Sequence, residues 1–489
     1  MDRFDGGRCR DMSPRCRHVG LQSHFVTDGD RRVWPSGLRR WSGWVVLSPV
    51  RVVAMSFAAA IVVGTALLLL PGAVEPGSST GFTEALFTST SAMCLTGLIV
   101  VDTPVHWSGF GQVVILALIQ VGGLGIMTMA SMVGLVLADQ IGLKARMNTA
   151  AEARASELGD VRDVVIGVIR LSIGIELVTA AALALRFALG YDEPVLRALW
   201  LGVFHSISSF NNAGFALYSD NMIGFATDPW ICVPLMVAVI LGGLGFPVLF
   251  EIGRRLRRRP PRSRSRAGWT LHTRLTVSVT AVLLALGFGA VLALEWARTL
   301  QGYNAAEKVL VAAFQGVMPR TAGFNSVDYA DLDDATLLVT DVLMFIGGGS
   351  GGTAGGIKVT TFALLLFIII AEVRGERSVT ILDRRVDTRV QRQALAVALI
   401  GIGLVTTSTI VLLAGTPFGL NELLFEVTSA FATVGLSTGI TAELPHWGQW
   451  ILILLMYLGR IGPITMVSAL AARQRGRRYD LPAERPLIG

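Results

Sequence analysis

The sequence predicts an all-α polytopic membrane protein: eight transmembrane helices, with four pore half-helices and filter loops, in four channel-like repeats. Three observations predict it. The first is composition: of 489 residues 52% are hydrophobic and only 16% charged, with a mean hydropathy of +0.59, too apolar for a soluble chain of this length. The second is recurrence. Four short amphipathic stretches end in a glycine, at Gly97, Gly214, Gly323 and Gly435, spaced by 109 to 117 residues. A second glycine cluster follows each by 24 to 28 residues, at Gly122, Gly242, Gly347 and Gly459. Such a period in an apolar chain marks repeated multi-helix membrane units. The third is charge placement, which alternates from loop to loop.

Crossing about 30 Å of hydrocarbon takes about 20 apolar residues. Eight runs qualify, at roughly 45–70, 110–137, 163–185, 230–250, 275–294, 337–370, 394–413 and 450–470. The net charge of +7 invites a nucleic-acid reading, but its location argues against one. Nine arginines lie between Arg254 and Arg274, and residues 374–392 and 473–478 are also basic, whereas loops 71–84, 98–109, 324–336 and 436–449 hold no Lys or Arg. This positive-inside bias places both termini in the cytoplasm, in keeping with an even span count. The basic loops read as solvated, with no nucleic-acid partner. Residues 1–40 lack the 7–15-residue apolar core of a signal peptide. Cys9, Cys16, Cys94 and Cys232 show no metal-binding spacing.

The expected organisation is a disordered basic tail (1–44), pore repeats at 45–138, 161–254, 269–372 and 388–473, and a cytoplasmic C-terminal tail (474–489). Half-helices are expected at 83–92, 197–210, 305–318 and 421–431, with Thr83 and Asn421 as N-caps, each followed by a glutamate. Repeats one and four align without gaps: EALFTSTSAMCLTGL (84–98) and ELLFEVTSAFATVGL (422–436) agree at eight of fifteen positions, including Ser91/Ser429. Phe204 keeps its offset from Gly214, whereas Phe314 is one residue out of register. The sixth run breaks the pattern, because its 34 residues would make a helix of about 51 Å. Inside it lies GGGSGGTAGG: Gly347, Gly348, Gly349, Ser350, Gly351, Gly352, Thr353, Ala354, Gly355 and Gly356. Each glycine costs a helix about 1 kcal/mol relative to alanine. Unwound backbone at membrane depth survives only where protein buries it or it lines water, so a broken inner helix facing the pore is expected. A Walker A reading fails, since Ile357 follows Gly356, Lys358 is one place late and no strand precedes.

Cation filters replace lost water with backbone carbonyls from several loops aimed at one axis, and glycine reaches the positive-φ conformations such loops use. The candidate filter residues are Cys94, Leu95, Thr96 and Gly97; Asn211, Asn212, Ala213 and Gly214; Arg320, Thr321, Ala322 and Gly323; and Ala432, Thr433, Val434 and Gly435. Thr433-Val434-Gly435 repeats the Thr-Val-Gly of potassium-channel filters. The potassium ion would be held by backbone carbonyls of these residues. A lone glycine between membrane helices is a packing residue; four in register, each after a half-helix, read as a filter.

On these loops, on IGGGSGGTAGGIKVTTF (346–362) and on YLGRIGPIT (457–465), the chain resembles the Trk/Ktr/HKT superfamily of potassium transporters, over about residues 45–475, and most of all its Ktr-type ion-translocating membrane subunits. The resemblance implies potassium uptake across the plasma membrane through a single-chain, pseudo-fourfold pore, a homodimer, and gating by a separate cytosolic nucleotide-binding ring of RCK (KtrA/TrkA-like) subunits. No dinucleotide-binding domain is legible in the chain, so no nucleotide is expected to bind it. In related HKT proteins a serine in the first loop goes with sodium preference, so Gly97 points to potassium as the transported ion, with sodium as a candidate activator. The family's permeation gate maps onto residues 347–356 and Arg460, with Lys358 similarly placed. Arg460 is the only charge between Glu443 and Arg473, and an intramembrane arginine needs water or a partner. A helix-bracing contact is the competing reading of Arg460.

Asp102, Asp328, Asp331, Asp333 and Asp334 lie outside the filter loops, either concentrating cations or simply solvated. Arg170 with Glu176, and Asp341, are expected to pair among themselves or with backbone. Trp107, Trp447 and Trp450 read as interfacial anchors beside membrane lipids. A sodium- or proton-coupled carrier of the same fold is the alternative function. A membrane-embedded enzyme is disfavoured: His205, the one histidine at membrane level, has no obvious carboxylate or cysteine partner and reads as a packing residue.

Overall fold

Apolar runs become helices, and their glycines set where those helices stop. The computed structural model describes residues 49–139, 161–257, 269–376, 378–382 and 384–462. The two tails, with Cys9 and Cys16, and the end of the fourth repeat lie outside the described residues. Repeat one holds α1 (Pro49–Leu68), the half-helix α2 (Phe82–Cys94), a short α3 (Thr103–His106) and α4 (Gly109–Asp139). Repeat two holds α5 (Val161–Gly190), the half-helix α6 (Val195–Phe210), α7 (Pro229–Leu244) and α8 (Phe246–Arg257). Repeat three holds α9 (Leu271–Glu295), the half-helix α10 (Ala305–Val317), α11 (Asp334–Phe345) and α12 (Val359–Val373). A two-stranded hairpin, β1 (Thr380–Ile381) and β2 (Arg384–Arg385), precedes repeat four. That repeat holds α13 (Thr388–Gly415), the half-helix α14 (Leu420–Ala432) and α15 (His446–Ile461).

Among the described residues, Val164–Gly190, Leu271–Glu295 and Thr388–Gly415 are long and apolar enough to cross a membrane unaided. Pro229–Leu244 and Phe246–Leu256 are long and apolar enough only as a pair, and the pair is bent by 105° at its break. The sequence expected one unbroken run at 230–250. The chain breaks instead at Gly245, whose φ is +91° and whose side-chain position is blocked 2.7 Å away by the Ser350 carbonyl oxygen. The expected break in the sixth run is present between α11 and α12.

The half-helices form the interior and the long helices the perimeter. Phe87, Phe204, Phe314 and Phe425, one per half-helix, are fully buried, while Val62, Val63, Leu177, Val178, Leu286 and Leu399 on α1, α5, α9 and α13 are exposed. An exposed apolar band on the outer helices is the surface that lipid covers. The half-helix starts differ from expectation: Gly81 and Gly419 are the caps, not Thr83 and Asn421. The expected glutamates serve them, Glu84 Oε2 accepting from Gly81 N (2.8 Å) and Glu422 Oε2 from Gly419 N (2.9 Å). In repeat three Glu307 does the same for Asn304 N at 2.8 Å.

Candidate functional site, a ring of four glycine loops

The chain leaving each half-helix passes through a non-glycine residue in the left-handed region: Leu95 (φ +58°), Asn212 (+57°), Thr321 (+70°) and Thr433 (+52°). Bulky and β-branched residues seldom go there, at a cost of roughly 1–3 kcal/mol each. Helix-end hydrogen bonds hold three of them: Leu95 N to Ala92 O (3.2 Å), Asn212 N to Ser209 O (3.0 Å) and Thr433 N to Ala430 O (3.2 Å). The next amide in each reaches five residues back, Thr96 N to Ser91 O (2.8 Å), Ala213 N to Ser208 O (2.7 Å) and Val434 N to Ser429 O (2.9 Å). Repeat three is one residue tighter, with Ala322 N on Met318 O at 3.0 Å. Two residues past each strained position comes the glycine, again at positive φ: Gly97 +90°, Gly214 +72°, Gly323 +75° and Gly435 +97°. Ser91 and Ser429, shared by repeats one and four, accept the amides of Gly97 and Gly435 through their hydroxyls, both at 3.0 Å.

The four loops meet in cyclic order. A side-chain atom on Gly97 would stand 2.4 Å from Ala213 O; on Gly214, 2.7 Å from Ala322 O; on Gly323, 2.3 Å from Val434 O; on Gly435, 2.1 Å from Thr96 O. The series closes on itself, so each glycine packs against a carbonyl of the next loop. The half-helices all end here, and each C-terminus carries about half an elementary negative charge. The oxygens at the ring are backbone carbonyls. The Thr96, Thr321 and Thr433 hydroxyls are buried with no protein partner. Uncharged oxygens and negative helix ends suit a cation that exchanges water for carbonyls.

Not every candidate lies at the ring. Cys94 and Ala432 are the last residues of α2 and α14. Asn211 caps α6 and turns its amide away, Nδ2 donating to Gln120 Oε1 (3.0 Å) and Glu176 Oε1 (3.2 Å). Gln120 also donates to both Glu176 oxygens at 3.1 Å. Glu176 is therefore held by two amides rather than by the expected Arg170. The Arg320 side chain leaves its loop, Nη2 donating to Gly347 O at 2.6 Å.

On the side of the ring nearest the half-helix ends lies the segment between α11 and α12. Its ends pair as a parallel bridge, Ile346 with Ile357. It docks on the break of repeat two, Gly349 N donating to Gly243 O (2.7 Å), Thr353 N to Gly242 O (3.2 Å) and Phe246 N to Gly351 O (3.2 Å). Unwound backbone in one repeat thus satisfies unwound backbone in another. A side chain on Gly355 would stand 1.9 Å from Thr433 Oγ1 and 2.4 Å from Ala432 O, so the segment presses on the base of the fourth loop. Thr353 Oγ1 lies 3.0 Å from Asn212 Oδ1, and Asn212 Nδ2 donates to Arg320 O at 3.3 Å. Two further cations grip the same segment: Arg460 Nη1 donates to Thr353 O and Lys358 Nζ to Ala354 O. Arg320 and Arg460 are each buried, with two guanidinium nitrogens lacking protein partners. The sequence flagged residues 347–356, Lys358 and Arg460; it missed Gly243, Gly245 and the Asn212 side chain, whose only signal was the glycine cluster at 242–245.

The second glycine clusters are packing points. A side chain on Gly122 would stand 2.2 Å from Met93 O, on Gly242 1.9 Å from Phe210 O, and on Gly459 1.7 Å from Phe431 O. In repeats one, two and four the inner helix therefore lies directly against the end of its half-helix, whereas Gly347 of repeat three meets Gly355 O of its own broken segment. On the other face of the ring a cavity of about 580 Å3 is lined by Gly97, Gly214, Gly435, Asp102, Asp220 and Asp328. Asp102 and Asp328 thus reach the mouth, as does Asp220, which the sequence did not single out. Asp331, Asp333 and Asp334 are not in its lining, and Asp333 pairs with Arg298. Burial pushes the Tyr218 phenol at this mouth up to about 12, so it stays neutral. Trp107 is fully buried and not an anchor, whereas Trp447 and Trp450 are exposed. Asp341 Oδ1 is buried without a hydrogen-bond partner, contrary to the expected pairing.

Helical repeats closed around a ring of backbone carbonyls define a membrane transport protein. Comparison with known proteins narrows the class. The chain belongs to the TrkH family of cation transport proteins, whose family model matches residues 48–475. It is a transporter, not an enzyme. It is 38% identical over 439 residues to the Ktr system potassium uptake protein B of Bacillus subtilis, covering 89% of this chain and 96% of that protein. The protein of the same name from Vibrio alginolyticus is 36% identical over 86% of this chain and 91% of its own length. The potassium/sodium uptake protein NtpJ of Enterococcus hirae is 34% identical, with 91% and 98% covered. The crystal structure of the potassium transporter TrkH from Vibrio parahaemolyticus shares the fold, with a TM-score of 0.69 at 18% identity over 88% of this chain and 86% of that one.

Proposed function

We propose that this chain is the potassium-selective, ion-translocating subunit of a Ktr-type uptake system in the plasma membrane. The single observation that carries this reading is the closed ring, in which each loop glycine packs on a carbonyl of the next loop. In this reading the residues leading to Gly97, Gly214, Gly323 and Gly435 are the filter, and potassium is the cargo they hold by backbone oxygens. The half-helices are pore helices, and the broken helices of repeats two and three count as one span each, giving eight. The mouth with Asp102, Asp220 and Asp328 gathers cations on the outer side, and the arginine-rich loops put both termini in the cytoplasm. Residues 347–356 with Arg460 and Lys358 form the gate, which presses on Thr433 when closed.

The names of the Ktr relatives speak of a system, which supports a separate partner subunit; in this reading that partner is a cytosolic nucleotide-binding RCK ring acting on the gate, and this chain forms a homodimer. A second reading, sodium as coupled or activating ion, is favoured by the potassium/sodium name of the Enterococcus relative. Expression in a potassium-deficient cell, with uptake measured for each alkali cation with and without sodium, tests both. Growth rescue with potassium and rubidium uptake far above sodium uptake supports the first reading. Equal uptake of all cations overturns it, and an absolute need for sodium selects the second.

A further inference from the structure

Each half-helix carries a fully buried phenylalanine nine or ten residues before its loop glycine, Phe87, Phe204, Phe314 or Phe425. Aligned on the loop glycine, Phe314 is out of register; aligned on the phenylalanine, the four repeats agree. The residue that follows is then Thr88, His205, Gln315 and Glu426, and all four are buried, at 2%, 1%, 2% and 0% exposure. The side chains are chemically unlike, yet three of them perform one task. Each accepts the backbone N–H of the residue three places beyond the loop glycine. Leu217 N donates to His205 Nε2 at 3.2 Å, and Thr438 N donates to Glu426 Oε1 at 3.2 Å. The Gln315 amide is assigned from its neighbours: the orientation that satisfies them has its NH2 donating to the Tyr329 hydroxyl at 2.6 Å and its oxygen accepting from Ser326 N at 2.9 Å and Val327 N at 3.2 Å.

The details fit an acceptor role. His205 Nδ1 lies 2.8 Å from Leu201 O, so Nδ1 carries the proton and Nε2 accepts. Glu426 also accepts from the Ser437 and Thr441 hydroxyls, clamping the turn beyond Gly435. The outer limb of each loop belongs to no helix or sheet, and a buried amide there needs a partner. In repeat one the place is taken by Thr88, whose hydroxyl is buried with no partner. We propose that His205, Gln315 and Glu426 are positioning residues that brace the outer limbs of loops two, three and four, holding the ring carbonyls at the spacing that discriminates among cations, and that loop one lacks this brace.

This inference rests on reading the ring as the filter, and the test separates the two. Purified variants are reconstituted in liposomes and the rubidium-to-sodium flux ratio is measured. Glu426→Ala should lower the ratio at least fivefold. Glu426→Gln keeps an oxygen acceptor and should stay within twofold of the parent, as should Thr88→Ala, which removes a hydroxyl that bonds nothing. Should Glu426→Ala fail to fold, the pair Gln315→Leu (ratio lowered) and Gln315→Glu (ratio kept) reads out the same brace in repeat three. A Glu426→Ala ratio equal to the parent's, beside a lowered ratio in Gly97→Ser, overturns the brace and leaves the filter standing. No change in either overturns both. Equal loss in Glu426→Ala and Glu426→Gln also overturns it, because charge rather than the acceptor would then set the ratio.

Discussion

The Arg460 guanidinium, on the inner helix of repeat four, donates through Nη1 to the carbonyl oxygen of Thr353 in the broken helix of repeat three. The bond joins a fixed charge to a segment that already rests on the base of the fourth loop through Gly355. A buried positive charge near the path repels a passing cation, and water in the cavity weakens that repulsion. Arg460→Ala removes both charge and clamp, so potassium flux should rise several-fold with the ion selectivity unchanged. Lysine keeps the charge and loses the planar fork, and its flux should fall between the two. Flux is read as rubidium uptake into liposomes at matched protein content. A well-folded alanine variant with lower flux contradicts the gate, and an unfolded one assigns Arg460 to bracing.

Gly97→Ser should relax selectivity toward sodium. Its φ is +90°, and a side chain would stand 2.4 Å from Ala213 O, so the second loop must move to admit it. The rubidium-to-sodium flux ratio should fall by about tenfold, equivalent to about 1.4 kcal/mol of lost discrimination. An unchanged ratio in folded protein removes Gly97 from the filter.

Shortening the segment between α11 and α12 should open the pore. Deleting residues 350–353 removes the Thr353 contact to Asn212 and the carbonyl that Arg460 holds. Flux should rise and depend less on a cytosolic regulator. A folded deletion variant that conducts no faster than the parent argues against a gate there.

Stability should distinguish packing glycines from idle ones. In Gly459→Ala the new methyl would stand 1.7 Å from Phe431 O, and backbone cannot give way as a side chain can. Overpacking of this kind costs about 1–3 kcal/mol, visible as a lower Tm in detergent. Gly403 on α13 has nothing within 4 Å, so Gly403→Ala should hold or raise the Tm. Equal Tm values would mean that the inner helices do not pack on the half-helix ends.

Much of this was legible because glycine and charge leave strong marks in an apolar chain. The glycines at 97, 214, 323 and 435 located the ring, and the serines at 91 and 429 proved to hold its amides. The glutamates at 84 and 422 marked the half-helix starts, but the caps are the glycines at 81 and 419, two residues upstream of those expected. The break at Gly245 was hidden because its flanks are apolar enough to read as one helix. It exists because the Ser350 carbonyl needs the space, and contacts between repeats leave no local pattern. The position after the buried phenylalanine was hidden too, since threonine, histidine, glutamine and glutamate share no composition, only an acceptor atom.

The central claim is that a monovalent cation sits among the carbonyls of the four loops. Crystals of the protein grown with thallium, measured for anomalous scattering, test it most directly. The account predicts an anomalous peak inside the ring formed by Gly97, Gly214, Gly323 and Gly435, weakened when potassium competes and unaffected by the same concentration of sodium. Thallium bound elsewhere with none in the ring, or displaced equally by sodium, would contradict it.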